Sequence, residues 1–245
     1  MKLAFSLAAA MALAVLPCLT FSAAAEDIYK NQGGISSPLL SRCAGKFGAE
    51  VRAADSAFPG LTLMGVPWMT IEPTPQTVNG QRIVATVTGI GAHNRRRGEI
   101  AALRFRCLID DKGDAASFTW SELLPERNEA LPPHTVLRGT AYYQPKTPLA
   151  PGTELRVQLF DQAANPPALL TEAVVRSSWV NPIPFGLRLP PDMKLQGRKL
   201  VLDMRIALGA EVLFRLKAPM VLALDQLQQP IDVSLDEVTG GSTVQ

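Results

Sequence analysis

Residues 200–216 read LVLDMRIALGAEVLFRL, and this stretch decides the fold class. Leu200, Leu202, Met204, Ile206 and Leu208 alternate with their neighbours, and Val212, Phe214 and Leu216 repeat the pattern. A period of two is the mark of a strand with one face buried. Gly209-Ala210 lies between the runs, and a tight two-residue hairpin places glycine first. The stretch therefore predicts two antiparallel strands.

Strand-like runs continue outward at short, regular intervals. TVLRGTAYY (135–143), ELRVQLFD (154–161), LLTEAVVR (169–176) and IPFGLRL (183–189) lie upstream, and MVLAL (220–224) lies downstream. The turns between them are rich in Pro, Gly, Asn and Asp, as in LAPGTEL, NPPA and LPPDMKLQGRK. Seven or so short strands without an intervening helix predict an antiparallel β-sandwich over residues 135–238. The last residues, 239–245, are expected to be a disordered tail.

Before the sandwich the texture differs. LLPERNEALPPH (123–134) is polar and proline-rich and is expected to be a linker. Residues 36–122 are expected to form a small α+β domain. Pro38 suits a first helical turn, Leu39, Leu40, Cys43 and Phe47 share one helical face, and Gly48 is expected to end the helix. From Ala49 to Gly80 the frequent prolines and glycines predict loops and short extended pieces. RIVATVTGI (82–90), IAALRFRCLID (100–110) and AASFTWS (115–121) predict strands, the last two joined by the turn DDKGD. The expected class is thus mainly β: a C-terminal antiparallel sandwich preceded by a small disulfide-stapled α+β domain.

The first 25 residues have the layout of a secretory signal. Met1-Lys2 is a short positive start, Leu3–Leu16 is apolar apart from Ser6, and Ala23-Ala24-Ala25 offers a cleavage site. Cleavage between Ala25 and Glu26 would release a chain with a polar, flexible arm at 26–35. Cys18 follows Leu16-Pro17, an unfavourable setting for the lipoprotein peptidase, so a lipid anchor there is not expected. The expected compartment is the periplasm of a Gram-negative bacterium, with no transmembrane segment left after signal removal. Cys43 and Cys107, the two cysteines that remain, are expected to form one disulfide in that oxidising compartment.

Lys and Arg total 24 against 22 Asp and Glu, a balance that gives no electrostatic reason to expect nucleic acid as a partner. His93 and His134 each fall in a polar turn or linker and are read as exposed loop residues. No set of ligands for a metal, no cofactor motif and no catalytic constellation is read from the sequence. Asp110, Asp111 and Asp114 lack the spacing of a calcium loop and are read as turn residues. Arg95, Arg96 and Arg97 form a compact basic loop that could meet an acidic partner. Trp120, in phase with Phe118, is expected in the core. Tyr142 and Tyr143 must point to opposite faces, leaving one exposed. Trp68 and Trp179 join them as candidate partner contacts.

Three runs carry a family resemblance: LRGTAYYQPKTPLAPGTELRVQLFDQ (137–162), PIPFGLRLP (182–190) and GRKLVLDMRIALGAEVLFRL (197–216). Together they resemble the YbaY/YscW family over residues 132–235. The resemblance implies a β-sandwich of envelope lipoproteins, whose YscW branch escorts a secretin of type III secretion to the outer membrane. Two features depart from that pattern: the residues preceding Cys18 and the additional N-terminal domain. The expected function is a non-enzymatic envelope protein that binds another envelope protein through its sandwich. The alternative is a small-molecule binder with its site between the two domains.

Overall fold

The computed structural model describes residues 38–54, 60–94, 100–123, 135–145, 149–177 and 181–238. The signal and its cleavage residues Ala23, Ala25 and Glu26, Cys18, the arm, Arg95–Arg97, His134, Trp179 and the C-terminal tail lie outside them, as does nearly all of the expected linker. Among the described residues stand one α-helix and fourteen strands. In chain order these are α1 (Pro38–Ala54), β1 (Gly60–Met64), β2 (Met69–Val78), β3 (Gln81–Asn94), β4 (Ile100–Asp110), β5 (Ala115–Glu122), β6 (Thr135–Tyr142) and β7 (Glu154–Asp161). Then come β8 (Ala168–Ser177), β9 (Ile183–Leu189), β10 (Leu200–Leu208), β11 (Glu211–Arg215), β12 (Met220–Leu222), β13 (Ile231–Ser234) and β14 (Asp236–Glu237), with a 3₁₀ turn at Leu224–Gln228.

Eleven strands make one antiparallel sheet, running β14-β11-β10-β7-β8-β1-β3-β4-β5, with β12 also on β10 and β2 also on β3. The sheet crosses from the C-terminal half to the N-terminal half through the five residues of β1. On one side Leu61 pairs with Arg176 and Leu63 with Val174; on the other Leu61 pairs with His93 and Leu63 with Gly91. A second sheet of three strands, β13-β6-β9, is laid over the C-terminal end. The expected hairpin at Gly209-Ala210 is present, Leu208 facing Glu211 across a turn whose Gly209 has φ +61°.

The alternation of side chains divides the large sheet into two faces with separate cores. On one face Leu61, Leu63, Val87, Phe105, Cys107 and Phe118 lie beneath the helical stripe Leu39, Leu40, Cys43, Ala44 and Phe47. The other face packs Met64, Val157, Leu159, Val175, Met204 and Ile206 against Leu137, Phe185 and Leu187 of the small sheet. The latter is the expected sandwich, and the former is the stapled helix-on-sheet layer. Cys43 and Cys107 are bonded with Cα atoms 5.9 Å apart, joining α1 to β4.

The sequence reading is corrected at the end of the helix and made specific in the stretch that follows it. The helix does not stop at Gly48, which is buried within it, but runs to Ala54 through a stretch of good helix formers; Lys46 and Glu50 pair one turn apart at 3.6 Å. Residues 60–64 and 69–78, in the stretch expected to hold loops and short extended pieces, form β1 and the ten-residue β2. Proline is compatible with β2 because, among the described strands, only β3 pairs with it, and its ladder breaks between Pro73 and Gln76.

Gly139 is required where β6 meets β13 and β9. A Cβ there would fall inside contact distance of the Ile231 carbonyl oxygen and within 2.7 Å of Phe185 Cζ. Gly186, on the neighbouring strand, would meet only Val136 at an ordinary 3.5 Å. Gly139→Ala is therefore expected to lower stability by about 1–3 kcal/mol, and Gly186→Ala by no more than about 0.5 kcal/mol. Urea midpoints of the two variants check the difference.

Candidate functional site

β6 and β9 pair so that Arg138 lies opposite Gly186 and Val136 opposite Arg188. Their alternate residues Leu137, Leu187 and Phe185 point into the core, so Val136, Arg138, Gly186 and Arg188 face outward. Beside this outward face, the edge strand β9 crosses β1 and β8 of the large sheet and leaves a cleft of about 560 Å³. Thr62, Met64 and Val175 form one wall, and Val136, Arg138, Phe185 and Arg188 contribute to the other.

The position of Arg188 is fixed through its backbone. Its carbonyl oxygen accepts hydrogen bonds from Trp68 Nε1 and Thr171 Oγ1, both at 2.9 Å. Burial holds the Arg188 guanidinium below its ordinary pKa, and the nearby charge of Arg138 adds to the effect. Arg138 is exposed and makes no hydrogen bond or ion pair among the described residues. Arg176 also borders the cleft, but its Nη2 donates to Glu154 Oε2 at 3.0 Å on the helix-covered face.

That face carries a second concentration of charge. Glu154 and Arg156 on β7 and Arg176 on β8 share it, as do Gln158 and Glu172. Glu154, 2% exposed, accepts from Arg156 Nε at 2.9 Å and from the Ser41 hydroxyl of α1. Arg156 Nη2 in turn donates to Ser41 Oγ, and Gln158 Nε2 donates to Glu172 Oε1 at 3.2 Å. Arg205 of β10, paired with Arg156 of β7, is held below its ordinary pKa by burial and then by the Arg156 charge. The cluster ties the start of the helix to the sheet.

Several residues singled out in the sequence fall elsewhere. His93 is not an exposed loop residue: it is 7% exposed on β3, its Nε2 lies 2.8 Å from Glu122 Oε1, and its ring meets Trp120. Trp120 is in phase with Phe118 but 39% exposed, because it lies at the sheet margin with its ring edge-on to Phe47. Asp110 serves its turn directly, Oδ1 accepting from the amides of Lys112 and Asp114. Tyr143 is buried against Phe214, and burial raises its pKa, whereas Tyr142 is 42% exposed. Trp68 is partly buried with its indole N–H engaged at Arg188, so it is less a free surface aromatic than a strut between the sheets.

Neither the cleft nor the Glu154 cluster was evident from the sequence. Each arginine there occupies an ordinary strand position, and only the pairing of distant strands brings them together. Among the described residues no group of three or more His, Cys, Asp or Glu is placed to hold a metal ion, and no helix is long and apolar enough to cross a membrane.

Comparison with known proteins bears on the C-terminal half. A family model described as a type III secretion system lipoprotein chaperone (YscW) matches residues 132–235, the span of the sequence resemblance and of strands β6–β13. No curated protein matches the chain. A solved structure of an alternative pilotin from the type II secretion system of Vibrio cholerae is 14% identical, with 44% of this chain and 100% of that one covered at a TM-score of 0.39. At that TM-score the likeness says nothing further about this chain.

Proposed function

We propose that this protein is an exported, non-enzymatic escort that binds a component of a secretion apparatus in the bacterial envelope. The family match over residues 132–235 carries the reading, because it falls on the strands that build the sandwich. In this reading the signal at 1–25 delivers the chain to the periplasm without an acyl anchor. The sandwich at 135–238 holds the partner, and the stapled helix-on-sheet unit at 36–122 braces it.

The contact surface proposed is the outward face of the small sheet at its β13 edge. Tyr142 stands there 42% exposed, and β13 pairs with β6 alone among the described strands. An exposed strand edge accepts an extended segment through main-chain hydrogen bonds, and an aromatic beside it supplies an anchor. Ser234 pairs with Tyr142 in this ladder, so an added strand would pass close to the phenol. The polar Asp232 and Ser234 of β13 keep the edge soluble when empty.

Deleting the gene and quantifying assembled outer-membrane secretion pores in the same cells tests the reading. Assembly is expected to fall severalfold, with restoration by the full chain and not by Tyr142→Asp. Unchanged assembly in the deletion strain would reject the escort function. Full restoration by Tyr142→Asp would reject the surface while leaving the function standing.

A further inference from the structure

We propose that two copies of this chain join through β5, pairing Ser117–Ser121 of each in antiparallel fashion about a twofold axis at Thr119. The two large sheets then become one through main-chain hydrogen bonds. The proposal is independent of the escort reading. Strand β5 closes the N-terminal end of the large sheet, whereas β13 and the small sheet lie over its C-terminal end.

Among the described strands β5 pairs with β4 alone, so its outer edge has no strand against it. A free strand edge is ordinarily guarded by proline, charge, irregularity or brevity. The other edges among the described strands are guarded in these ways. Pro73 and Pro75 interrupt β2, and Pro184 lies in β9. Asp232 charges β13, β12 has three residues, and β14 is Asp236-Glu237. Ser117–Ser121 carries none of these guards. It holds no proline and no charged residue. Its strand's one irregularity against β4 lies before it, between the pairs Ile109–Ala115 and Leu108–Ser117. Thr119, Trp120 and Ser121 stand exposed along it.

A twofold contact requires a surface complementary to itself, and this strand meets that condition. Pairing about Thr119 sets Trp120 opposite the partner's Phe118 and Phe118 opposite the partner's Trp120. Aromatic pairs directly opposite on one face are favourable cross-strand contacts. On the other face Ser121 meets the partner's Ser117, and the two threonines meet at the axis, where hydroxyls can bond each other. Neighbouring registers are worse. An axis at Phe118 opposes Glu122 to the partner's Asp114, two like charges, and an axis at Trp120 opposes Phe118 to the partner's Glu122. With the axis at Thr119, Glu122 falls opposite the partner's Ala116, beyond the paired segment. The aromatic groups are also set in advance. Phe118 packs on Phe47 and stacks on Phe105, and Trp120 lies edge-on to Phe47, so little ordering is needed on association.

Sedimentation equilibrium of the full exported chain tests the proposal. The wild-type chain is expected to form a dimer with Kd below about 100 µM. Thr119→Lys places two like charges together at the axis and is expected to weaken the dimer about fivefold or more. Its circular dichroism spectrum should be unchanged, because Thr119 is exposed. Mixing Thr119→Lys with Thr119→Glu in equal amounts is expected to recover a mixed dimer, since opposite charges then meet at the axis. A chain that stays monomeric at about 500 µM would overturn the proposal. A dimer that Thr119→Lys leaves unchanged would also overturn it, since the copies would then meet elsewhere. A mixture of the two variants no more dimeric than Thr119→Lys alone would overturn the pairing about Thr119.

Discussion

Glu154→Ala is expected to cost about 3–5 kcal/mol of folding stability, the range for breaking a buried ion pair by removing one partner. The side chain is 2% exposed and its two oxygens are divided between partners: Oε1 faces Arg156 and Ser41, and Oε2 faces Arg176. Alanine removes the carboxylate that both guanidiniums share, while Arg156 and Arg176 stay 10% and 18% exposed at their side chains. Arg205, whose charge is already disfavoured by burial and by Arg156, then faces a more positive neighbourhood. Ser41 also loses its acceptor, so the first turn of α1 is loosened from β7.

Glu154→Gln separates charge from shape. It preserves the volume and one carbonyl acceptor but not the negative charge, so a loss intermediate between wild type and Glu154→Ala is expected. Urea unfolding followed by tryptophan fluorescence measures all three proteins. A Glu154→Ala unfolding free energy within about 1 kcal/mol of wild type would show that the cluster does not hold the helix to the sheet. Replacing Glu154, Arg156 and Arg176 together by apolar residues should cost less than removing Glu154 alone, because desolvated charge rather than missing contact drives the loss.

What the sequence made legible follows from how local each signal is. Strands β6 to β12 show as alternation with turn residues between them, and Gly209-Ala210 announces its hairpin because that turn is specified by two residues. β1 and β2 were hidden for opposite reasons. β1, GLTLM, is too short to display a period, and β2 contains Pro73 and Pro75, tolerated because among the described strands it pairs on one side alone, with β3. The burial of His93 beside Glu122 and the exposure of Trp120 both depend on where the helix ends over the sheet, which no local pattern encodes. The cleft was least legible of all. The alternation in IPFGLRL marks Arg188 as outward-facing, and that in TVLRGTAY does the same for Arg138. Their meeting depends on the β6–β9 register, and the wall opposite them depends on β8 pairing with a strand more than a hundred residues away.

Removing the Cys43–Cys107 disulfide by double substitution with alanine is expected to cost about 4 kcal/mol. The residues are 64 apart in sequence, and closing a loop of that length restricts the unfolded chain by roughly this amount in the chain-entropy model. Both half-cystines are fully buried in the helix-on-sheet core, so the loss of two sulfur contacts adds to the entropic term. The bond joins α1 to β4, and the helix is also held by its apolar stripe, by the contacts of Ser41 with Glu154, Arg156 and Arg176, and by Arg42, which donates to the Gly113 carbonyl and lies 3.8 Å from Asp114. The C-terminal sandwich shares the sheet but has its own core around Val157, Met204 and Leu187, with no contribution from the disulfide. The double variant should therefore unfold its N-terminal half first. Hydrogen exchange should then rise at the amides of α1, β4 and β5, with a smaller increase at β7 and β10. Uniform acceleration across both halves would mean that the continuous sheet makes the chain one cooperative unit, with β1 transmitting the loss to β8. An unchanged urea midpoint would mean that the apolar stripe and the polar contacts of Ser41 and Arg42 hold the helix without help from the disulfide.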